Sequence, residues 1–271
     1  MNDTPPVPGR MRRLPGGLTL RALVPNAITA GALCVGLTGI RFAISGEFGK
    51  AVLAIILAGL LDGIDGRIAR ALKAQSRFGA ELDSLADSIS FGVAPALIVY
   101  LWSLQELPRL GWFAALALAI CCVLRLARFN AQIDTQDEPR KLAGFLTGVP
   151  APVGAGLAFL PLYLWMATAD PIFRDPRGVG LWLVAVAFLM ISSLPTLSWA
   201  KLRPRPNIRL ILLAAAGLLV AALITETWLT LAGISVIYLL LLPVGMIGYA
   251  RYRRRVRLSS AGSGASSGSE G

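Results

Sequence analysis

The sequence predicts an all-α integral membrane protein with about eight transmembrane helices. Of its 271 residues, 55% are hydrophobic and only 15% are charged, and the mean hydropathy is +0.67. A soluble domain carries roughly 25% charged residues. Long apolar stretches recur along the chain, and the basic residues collect between alternate stretches. Together these observations exclude a typical soluble globular protein and a disordered one.

Each apolar stretch has about 17–23 residues, enough to cross roughly 30 Å of hydrocarbon at 1.5 Å per residue. The first stretch contains Pro25-Asn26 near its start, the second ends in an acidic and glycine-rich run, and the third begins with a second acidic run. The fourth ends in an arginine-rich run, the fifth begins at Pro150, and the last two are separated only by 225–227. The predicted spans lie near 23–44, 48–70, 81–102, 110–130, 150–168, 179–199, 208–225 and 228–249.

The basic residues predict the orientation of these spans. With eight spans and a cytoplasmic N-terminus, 21 of the 26 Lys and Arg residues fall on the cytoplasmic side. This is the asymmetry of the positive-inside rule, so both termini are predicted to be cytoplasmic. Residues 1–20 are then a basic, Pro/Gly-rich tail and residues 21–250 the transmembrane domain. Residues 251–271 are a basic and then Ser/Gly-rich tail that we expect to be disordered.

Composition also limits the chemistry. The chain has no histidine, which excludes His-based acid–base catalysis, phosphohistidine intermediates and His metal ligands. Its three cysteines lie in apolar runs without the spacing of a zinc site or a disulfide framework. The net charge of +11 is explained by topology and by attraction to an anionic leaflet, so we expect no nucleic-acid partner.

Four aspartates stand at membrane depth, where ionisable residues are costly and usually functional. Asp62 and Asp65 are three residues apart at the end of the second span, and Asp83 and Asp87 are four apart in the third. Each pair therefore projects from one side of its own helix, and a short hairpin can bring the pairs together. Four carboxylates would repel one another unless cations were bound, and oxygen ligands suit Mg²⁺, Mn²⁺ or Ca²⁺. Two metal ions sharing carboxylates are typical of phosphoryl-transfer chemistry. Interhelical salt bridges and a proton relay in a cation transporter are the alternatives.

These residues resemble, at every fixed position, the motif D-x2-D-G-x2-A-R-x8-G-x3-D-x3-D of the CDP-alcohol phosphotransferase family. The matching residues are Asp62, Asp65, Gly66, Ala69, Arg70, Gly79, Asp83 and Asp87. The resemblance implies a six-helix core around a dinuclear metal site near the cytoplasmic surface of the cell membrane, usually in a homodimer. It also implies transfer of a phosphatidyl-type group from a CDP-linked lipid to an alcohol, with release of CMP.

Three further stretches resemble the branch of that family that uses serine as the acceptor. They are 83–96, Arg125–Asn130 in the pattern R-L-A-R-F-N, and 144–152, where Val149 replaces a usual leucine. The resemblance covers roughly residues 21–165 and implies CDP-diacylglycerol and L-serine as substrates and phosphatidylserine as the product. The same chemistry with glycerol 3-phosphate or inositol phosphate is the alternative within the family.

The resemblance also assigns expected roles to residues. Asp87 is the expected general base, and Asp62, Asp65, Asp83 and Asp87 the expected ligands of two divalent cations. The expected CDP-lipid site comprises Asn26, Thr29, Asp62, Gly66, Ala69, Arg70, Ser76 and Gly79. The expected serine site comprises Arg125, Arg128, Asn130, Ser88 and Ser90, with arginine suited to a carboxylate. Asn26 as a helix cap, and the two arginines as topological charges, are the alternatives.

Overall fold

The computed structural model describes residues 20–133, 145–192, 195–197 and 209–243. Its described elements are helices apart from one pair of three-residue strands. The helices are α1 Leu20–Ile44, α2 Phe48–Ala71, α3 Arg77–Asp87, α4 Ala94–Trp102, α5 Leu110–Ile133, α6 Ala151–Ala158, α7 Leu160–Thr168, α8 Pro176–Ile191, α9 Arg209–Thr225 and α10 Thr227–Pro243. Short 3₁₀ turns cover Leu104–Glu106 and Pro171–Arg174. The predicted helical class is confirmed; the tails predicted at 1–20 and 251–271 lie, except for Leu20, outside the described residues.

Three helical segments are long and apolar enough to cross a membrane, namely Leu23–Ile44, Arg77–Trp102 and Leu110–Ala131. Helices α6 and α7 together make a fourth candidate, bent by 40°. Helix α2 has the length of a span, but it carries the charged run that begins at Asp62. Helices α8 to α10 are apolar and have 16 or 17 residues each within the described ranges. The described chain thus supports a multi-pass membrane protein with three to four clear spans.

Helices α1 and α2 form a tightly packed hairpin. Gly46 has a φ of +77° in the connecting turn, a conformation that favours glycine. A Cβ added at Gly39 would come within 3.1 Å of the Ala51 carbonyl oxygen, so a side chain there would force the two helices slightly apart. Ala51, Ala54 and Ala58 are buried on the facing side of α2. Small residues let membrane helices approach closely, and here they bring α1 alongside the acidic end of α2.

The predicted third span begins four residues earlier than expected and contains a widened turn. Ser76 caps α3 by accepting a hydrogen bond from the Gly79 amide at 3.0 Å. A π-helical turn at Ser88–Val93 then joins α3 to α4. A Cβ added at Gly92 in this turn would lie 3.0 Å from the Cys122 Cβ, so the turn packs closely on α5. Such turns occur often at functional sites, and this one starts directly after Asp87.

The predicted fifth span is broken, and it is preceded by a short strand. Strand β1, Phe145–Thr147, pairs antiparallel with β2, Pro195–Leu197, a pairing that the sequence did not predict. Gly148 follows β1 with a φ of +76°, and α6 begins at Ala151 after Pro150. The helix stops at Phe159, because Pro161 cannot donate to the carbonyl of Leu157, which accepts from the Trp182 indole at 2.8 Å. The bent segment packs with α8 and α5 into the apolar core.

Candidate active site

Three of the four predicted acidic ligands meet between α2 and α3. One carboxylate oxygen from each of Asp62, Asp83 and Asp87 lies within 4.8 Å of the others. The two helices run in opposite directions along α1, which packs against both. The i,i+4 spacing of Asp83 and Asp87 puts both on the side of α3 that faces Asp62, as the sequence predicted.

This arrangement fits a bound cation. At 4.8 Å and an effective dielectric constant of about 20, two carboxylates repel each other by about 3.5 kcal/mol. Oxygen ligands lie about 2.0–2.6 Å from Mg²⁺, Mn²⁺ or Ca²⁺, so oxygens around one ion are at most about 5 Å apart. The three carboxylates therefore have the spacing and the chemistry to hold one divalent cation between them.

Asp65, the fourth predicted ligand, has a different set of contacts. It is buried, and the Thr29 hydroxyl of α1 donates to its Oδ2 at 2.6 Å. The same hydroxyl lies 3.1 Å from the Pro25 carbonyl oxygen one turn earlier. Asp62 and Asp65 are three positions apart and point about 60° away from each other around the helix. Asp65 is therefore held by α1, whereas Asp62 faces α3.

A pocket of about 360 Å³ opens beside the carboxylates. Seven of the eight residues predicted to bind the CDP-lipid line it: Asn26, Thr29, Gly66, Ala69, Arg70, Ser76 and Gly79. Asp62 is outside the lining, while Asp65 and Asp83 are part of it. Asp83 thus belongs both to the pocket wall and to the carboxylate cluster.

The wall of the pocket depends on close contact between α1 and the start of α3. A Cβ at Gly79 would lie 2.9 Å from Asn26 Oδ1 and 3.1 Å from Ser76 Oγ. An alanine at position 79 would therefore require the Asn26 amide and the Ser76 hydroxyl to move from their present positions. Asn26 lies inside α1, six residues after the helix begins, so its predicted alternative role as a cap is wrong.

Sequence reasoning missed some features of the pocket. Gln75 and Ala74 line it from the segment between α2 and α3, where no motif position marks them. That segment begins with Lys73 at a φ of +48°, and its amide and that of Ala74 donate to the Arg70 and Ala69 carbonyls. This is the double hydrogen bond that ends many helices. Gly63, in contrast, has open space around it and does not line the pocket.

The residues predicted for the serine site are placed unevenly. Asn130 donates to Ser84 Oγ at 2.8 Å, between the positions of Asp83 and Asp87 on α3. Ser88 donates to the Ser84 carbonyl at 2.7 Å. Ser90 is 2% exposed and packs on Gly36 of α1, where an added Cβ would lie 2.6 Å from its Oγ.

The two predicted arginines of α5 differ as well. Arg125 is partly buried, its Nε has no hydrogen-bond partner among the described residues, and its guanidinium interacts electrostatically with Asp87. Arg128 is exposed. Of the two, Arg125 is the arginine that faces the carboxylate cluster.

A bundle of apolar helices around a carboxylate cluster and a pocket defines a membrane protein with an acidic, cation-competent site. The sequence profile of CDP-alcohol phosphatidyltransferases matches residues 22–252. The chain belongs to the CDP-alcohol phosphatidyltransferase family.

Curated relatives resemble a large part of the chain. A CDP-diacylglycerol–serine O-phosphatidyltransferase of Mycobacterium tuberculosis is 42% identical over 179 residues, covering 66% of this chain and 62% of the relative. The Bacillus subtilis protein of that name is 37% identical over 171 residues, covering 63% and 88%. An archaetidylserine synthase of Methanothermobacter thermautotrophicus is 32% identical over 161 residues, covering 59% and 63%. The aligned part thus spans about three-fifths of the mycobacterial and archaeal relatives.

Proposed function

We propose that this protein transfers the phosphatidyl group of CDP-diacylglycerol to the hydroxyl of L-serine, giving phosphatidylserine and CMP for phospholipid synthesis. The observation that carries the proposal is that Asp83 joins the nucleotide-sized pocket to the carboxylate cluster. A CDP group in the pocket would have its pyrophosphate beside the carboxylates. The names of the relatives supply the acceptor, since most of them are serine transferases.

In the proposed reaction the residues around the pocket bind and orient the donor. Gly66, Ala69 and Gly79 leave room for the cytidine, and Arg70 binds a phosphate oxygen. Asn26 and Thr29 line the same wall from α1 and hold the nucleotide through their polar groups, with Ser76 beside them.

Asp62, Asp65, Asp83 and Asp87 would hold two divalent cations, Mg²⁺ or Mn²⁺, in this proposal. When bound, these ions stabilise negative charge on the transferring phosphoryl group and on the leaving CMP. Asp87 takes the proton from the serine hydroxyl as its oxygen bonds to the phosphorus that carries the diacylglycerol. The bond from that phosphorus to the CMP oxygen breaks, and CMP leaves as the nucleoside monophosphate.

The acceptor site is proposed on the α5 side of the cluster. Arg125 and Arg128 are candidates for the serine carboxylate, and Asn130, Ser88 and Ser90 for the remaining polar contacts. The structure favours Arg125 and Asn130 for this role, because they reach Asp87 and Ser84 of α3. Ser90 packed on Gly36 and the exposed Arg128 have less support.

The wider setting is proposed from the charge pattern and the family. Eight spans with both termini in the cytoplasm put 21 of the 26 basic residues on the cytoplasmic side. The site would then lie on the cytoplasmic side of the cell membrane, in a transmembrane catalytic domain of residues 21–250 with six core helices. A homodimer is proposed by analogy with the family.

The test is a CMP-release assay on the purified full chain in detergent, with CDP-diacylglycerol and Mn²⁺ or Mg²⁺. L-serine, glycerol 3-phosphate and inositol phosphate are supplied in turn. We expect metal-dependent release with serine alone. Release only with another acceptor would reject serine and keep the chemistry, and absence of release with all three would reject the proposed activity.

A further inference from the structure

Two polar side chains in the apolar core, one on α5 and one on α10, each contain a polar atom without a hydrogen-bond partner among the described residues. They are Arg125 on α5 and Tyr238 on α10, whose Nε and hydroxyl atoms are shielded from solvent although each side chain is partly buried. The two groups interact electrostatically with each other, and Arg125 also interacts with Asp87. Each is a hydrogen-bond donor, and a buried donor left unpaired is costly.

The position of Tyr238 follows from the packing of α10. Tyr238 belongs to the side of this helix that is packed against the core, at intervals of three and four residues. The side consists of Trp228, Leu231, Ala232, Ser235, Tyr238, Leu239 and Leu242. A polar side chain in an apolar helix that faces the bundle interior usually has a functional partner.

Tyr238 and the carboxylates also lie at similar depth. The beginnings of α2 and α10 are adjacent, since a Cβ at Gly49 would lie 3.2 Å from the Trp228 ring. Along α10, Tyr238 is about 15 Å from Trp228, and along α2, Asp62 is about 20 Å from Gly49. For two helices that run side by side from this contact, the rise per residue puts Tyr238 within one turn of the depth of Asp62.

The nucleotide pocket does not use these two donors. Its lining comes from α1, α2, α3 and the segment between α2 and α3, and contains neither Arg125 nor Tyr238. Arg125 interacts with Asp87, and Tyr238 interacts with Arg125, so the two donors extend from Asp87 away from the pocket lining. A ligand that satisfies both needs a small anionic acceptor group, such as a carboxylate.

We propose that Tyr238 and Arg125 together bind the carboxylate of the acceptor amino acid, so that α10 completes the acceptor site. This inference rests on the proposed function, and it adds a binding residue from the last described helix. The carboxylate accepts hydrogen bonds from Arg125 Nε and from the Tyr238 hydroxyl, and the amino acid's own hydroxyl is then directed toward Asp87.

The test compares Tyr238→Phe with Tyr100→Phe in the purified full chain. Tyr100 is a half-buried tyrosine of α4 that packs edge-on against Trp112 and lies away from the site, so it is the matched control. A hydrogen bond to a charged group changes affinity by roughly ten- to hundredfold. We expect Tyr238→Phe to raise the KM for L-serine by about tenfold or more. The KM for CDP-diacylglycerol should be unchanged in this variant. In Tyr100→Phe both KM values should equal those of the unmodified protein.

A binding measurement without turnover supplies the second readout. Radiolabelled L-serine is bound to the detergent-solubilised protein with CDP in place of the lipid donor, and ethanolamine, which lacks the carboxylate, is the competitor. We expect Tyr238→Phe to weaken serine binding. The inhibition constant of ethanolamine should stay the same, because ethanolamine has no carboxylate. Equal KM increases for both substrates, or unchanged serine binding, would overturn the role of Tyr238. Absence of serine-dependent CMP release in the unmodified chain would instead overturn the proposed function.

Discussion

Alanine substitutions at Gly66 and Gly63 on α2 can distinguish an effect on donor binding from an effect on helix stability. Both glycines lie inside the helix, where replacement by alanine stabilises a helix by about 1 kcal/mol. Neither position is crowded: the nearest atom to a Cβ at Gly66 is Arg70 Nη1 at 3.7 Å, and Gly63 has no neighbour within 4 Å. Only Gly66 lines the pocket. The two substitutions therefore have the same expected effect on folding and different expected effects on the bound donor.

The magnitude follows from overpacking. A methyl group inserted against a closely fitting partner costs about 1–3 kcal/mol. Since 1.4 kcal/mol is a factor of ten in affinity, Gly66→Ala should weaken CDP-diacylglycerol binding by roughly five- to a hundredfold. We expect the KM for the lipid donor to rise by that factor, with the KM for serine little changed. Gly63→Ala should keep both values within about a factor of two.

The assay is the CMP-release titration, combined with thermal unfolding of each variant in the same detergent. Both variants should unfold at or above the temperature of the unmodified protein. If Gly66→Ala binds the donor normally, the pocket does not hold the nucleotide against α2. If Gly63→Ala weakens binding as strongly, helix geometry rather than contact with the donor explains the effect.

Four further substitutions, and removal of the metal with EDTA, test the site. Asp87→Asn should lower kcat by roughly a hundred- to ten-thousandfold with normal membrane insertion, and near-normal turnover would reject Asp87 as the base. Asp83→Asn should abolish the thermal stabilisation that added Mn²⁺ gives the unmodified protein. Chelation by EDTA should stop CMP release until Mn²⁺ or Mg²⁺ is restored. Activity that persists in EDTA would contradict the metal assignment. Thr29→Val removes the donor to buried Asp65 and should lower the free energy of unfolding by about 1.5–3 kcal/mol, with recovery in Thr29→Ser; equal stability of the valine variant would show that the hydrogen bond contributes nothing. Gly79→Ala should cost about 1–3 kcal/mol and raise the KM for the lipid donor, because its methyl would press on Asn26; chemical unfolding and the titration together check this.

Helical periodicity was enough to predict the meeting of the carboxylates. The i,i+4 spacing of Asp83 and Asp87 fixes one side of α3, and the short connection from α2 leaves few alternatives to a hairpin. The same reasoning could not separate Asp62 from Asp65. Their i,i+3 spacing leaves an angle of about 60° between them, and the rotation of α2 decides which carboxylate meets α3. That rotation depends on the Thr29 hydrogen bond and on the glycine contacts with α1, which are tertiary features.

The pocket was located from the resemblance to the family rather than from spacing. Asn26 and Gly79 are 53 positions apart in the sequence, and only the packed structure brings them so close that a Cβ at Gly79 would lie 2.9 Å from Asn26 Oδ1. The break at Phe159, the widened turn after Asp87 and the pairing of β1 with β2 also depend on contacts between distant segments. Tyr238 was missed for the same reason, although a lone phenol in an apolar helix is a detectable sign of function.

The widened turn after Asp87 places an apolar side chain, Phe91, near the carboxylates. Phe91 in this turn is 2% exposed, and a Cβ at Gly59 of α2 would lie 3.4 Å from its ring. Phe91 is one turn beyond Asp87 and Gly59 one turn before Asp62, so this contact lies one helical turn from the carboxylates on both helices. Phe91 also lines an apolar cavity of about 210 Å³, together with Gly59, Phe159 and Tyr163.

The position of the Phe91 ring has an electrostatic consequence. An aromatic ring one helical turn from the carboxylates lowers the local dielectric constant, which strengthens their interaction with a bound cation and also their mutual repulsion without one. The polar side of the cluster remains open through the pocket that contains Asp83. A charged donor can therefore reach the carboxylates through the pocket, while Phe91 separates them from the apolar interior. The site is closed on its apolar side by α2 and the widened turn, which explains why the acidic residues are tolerated within a helical bundle of this composition.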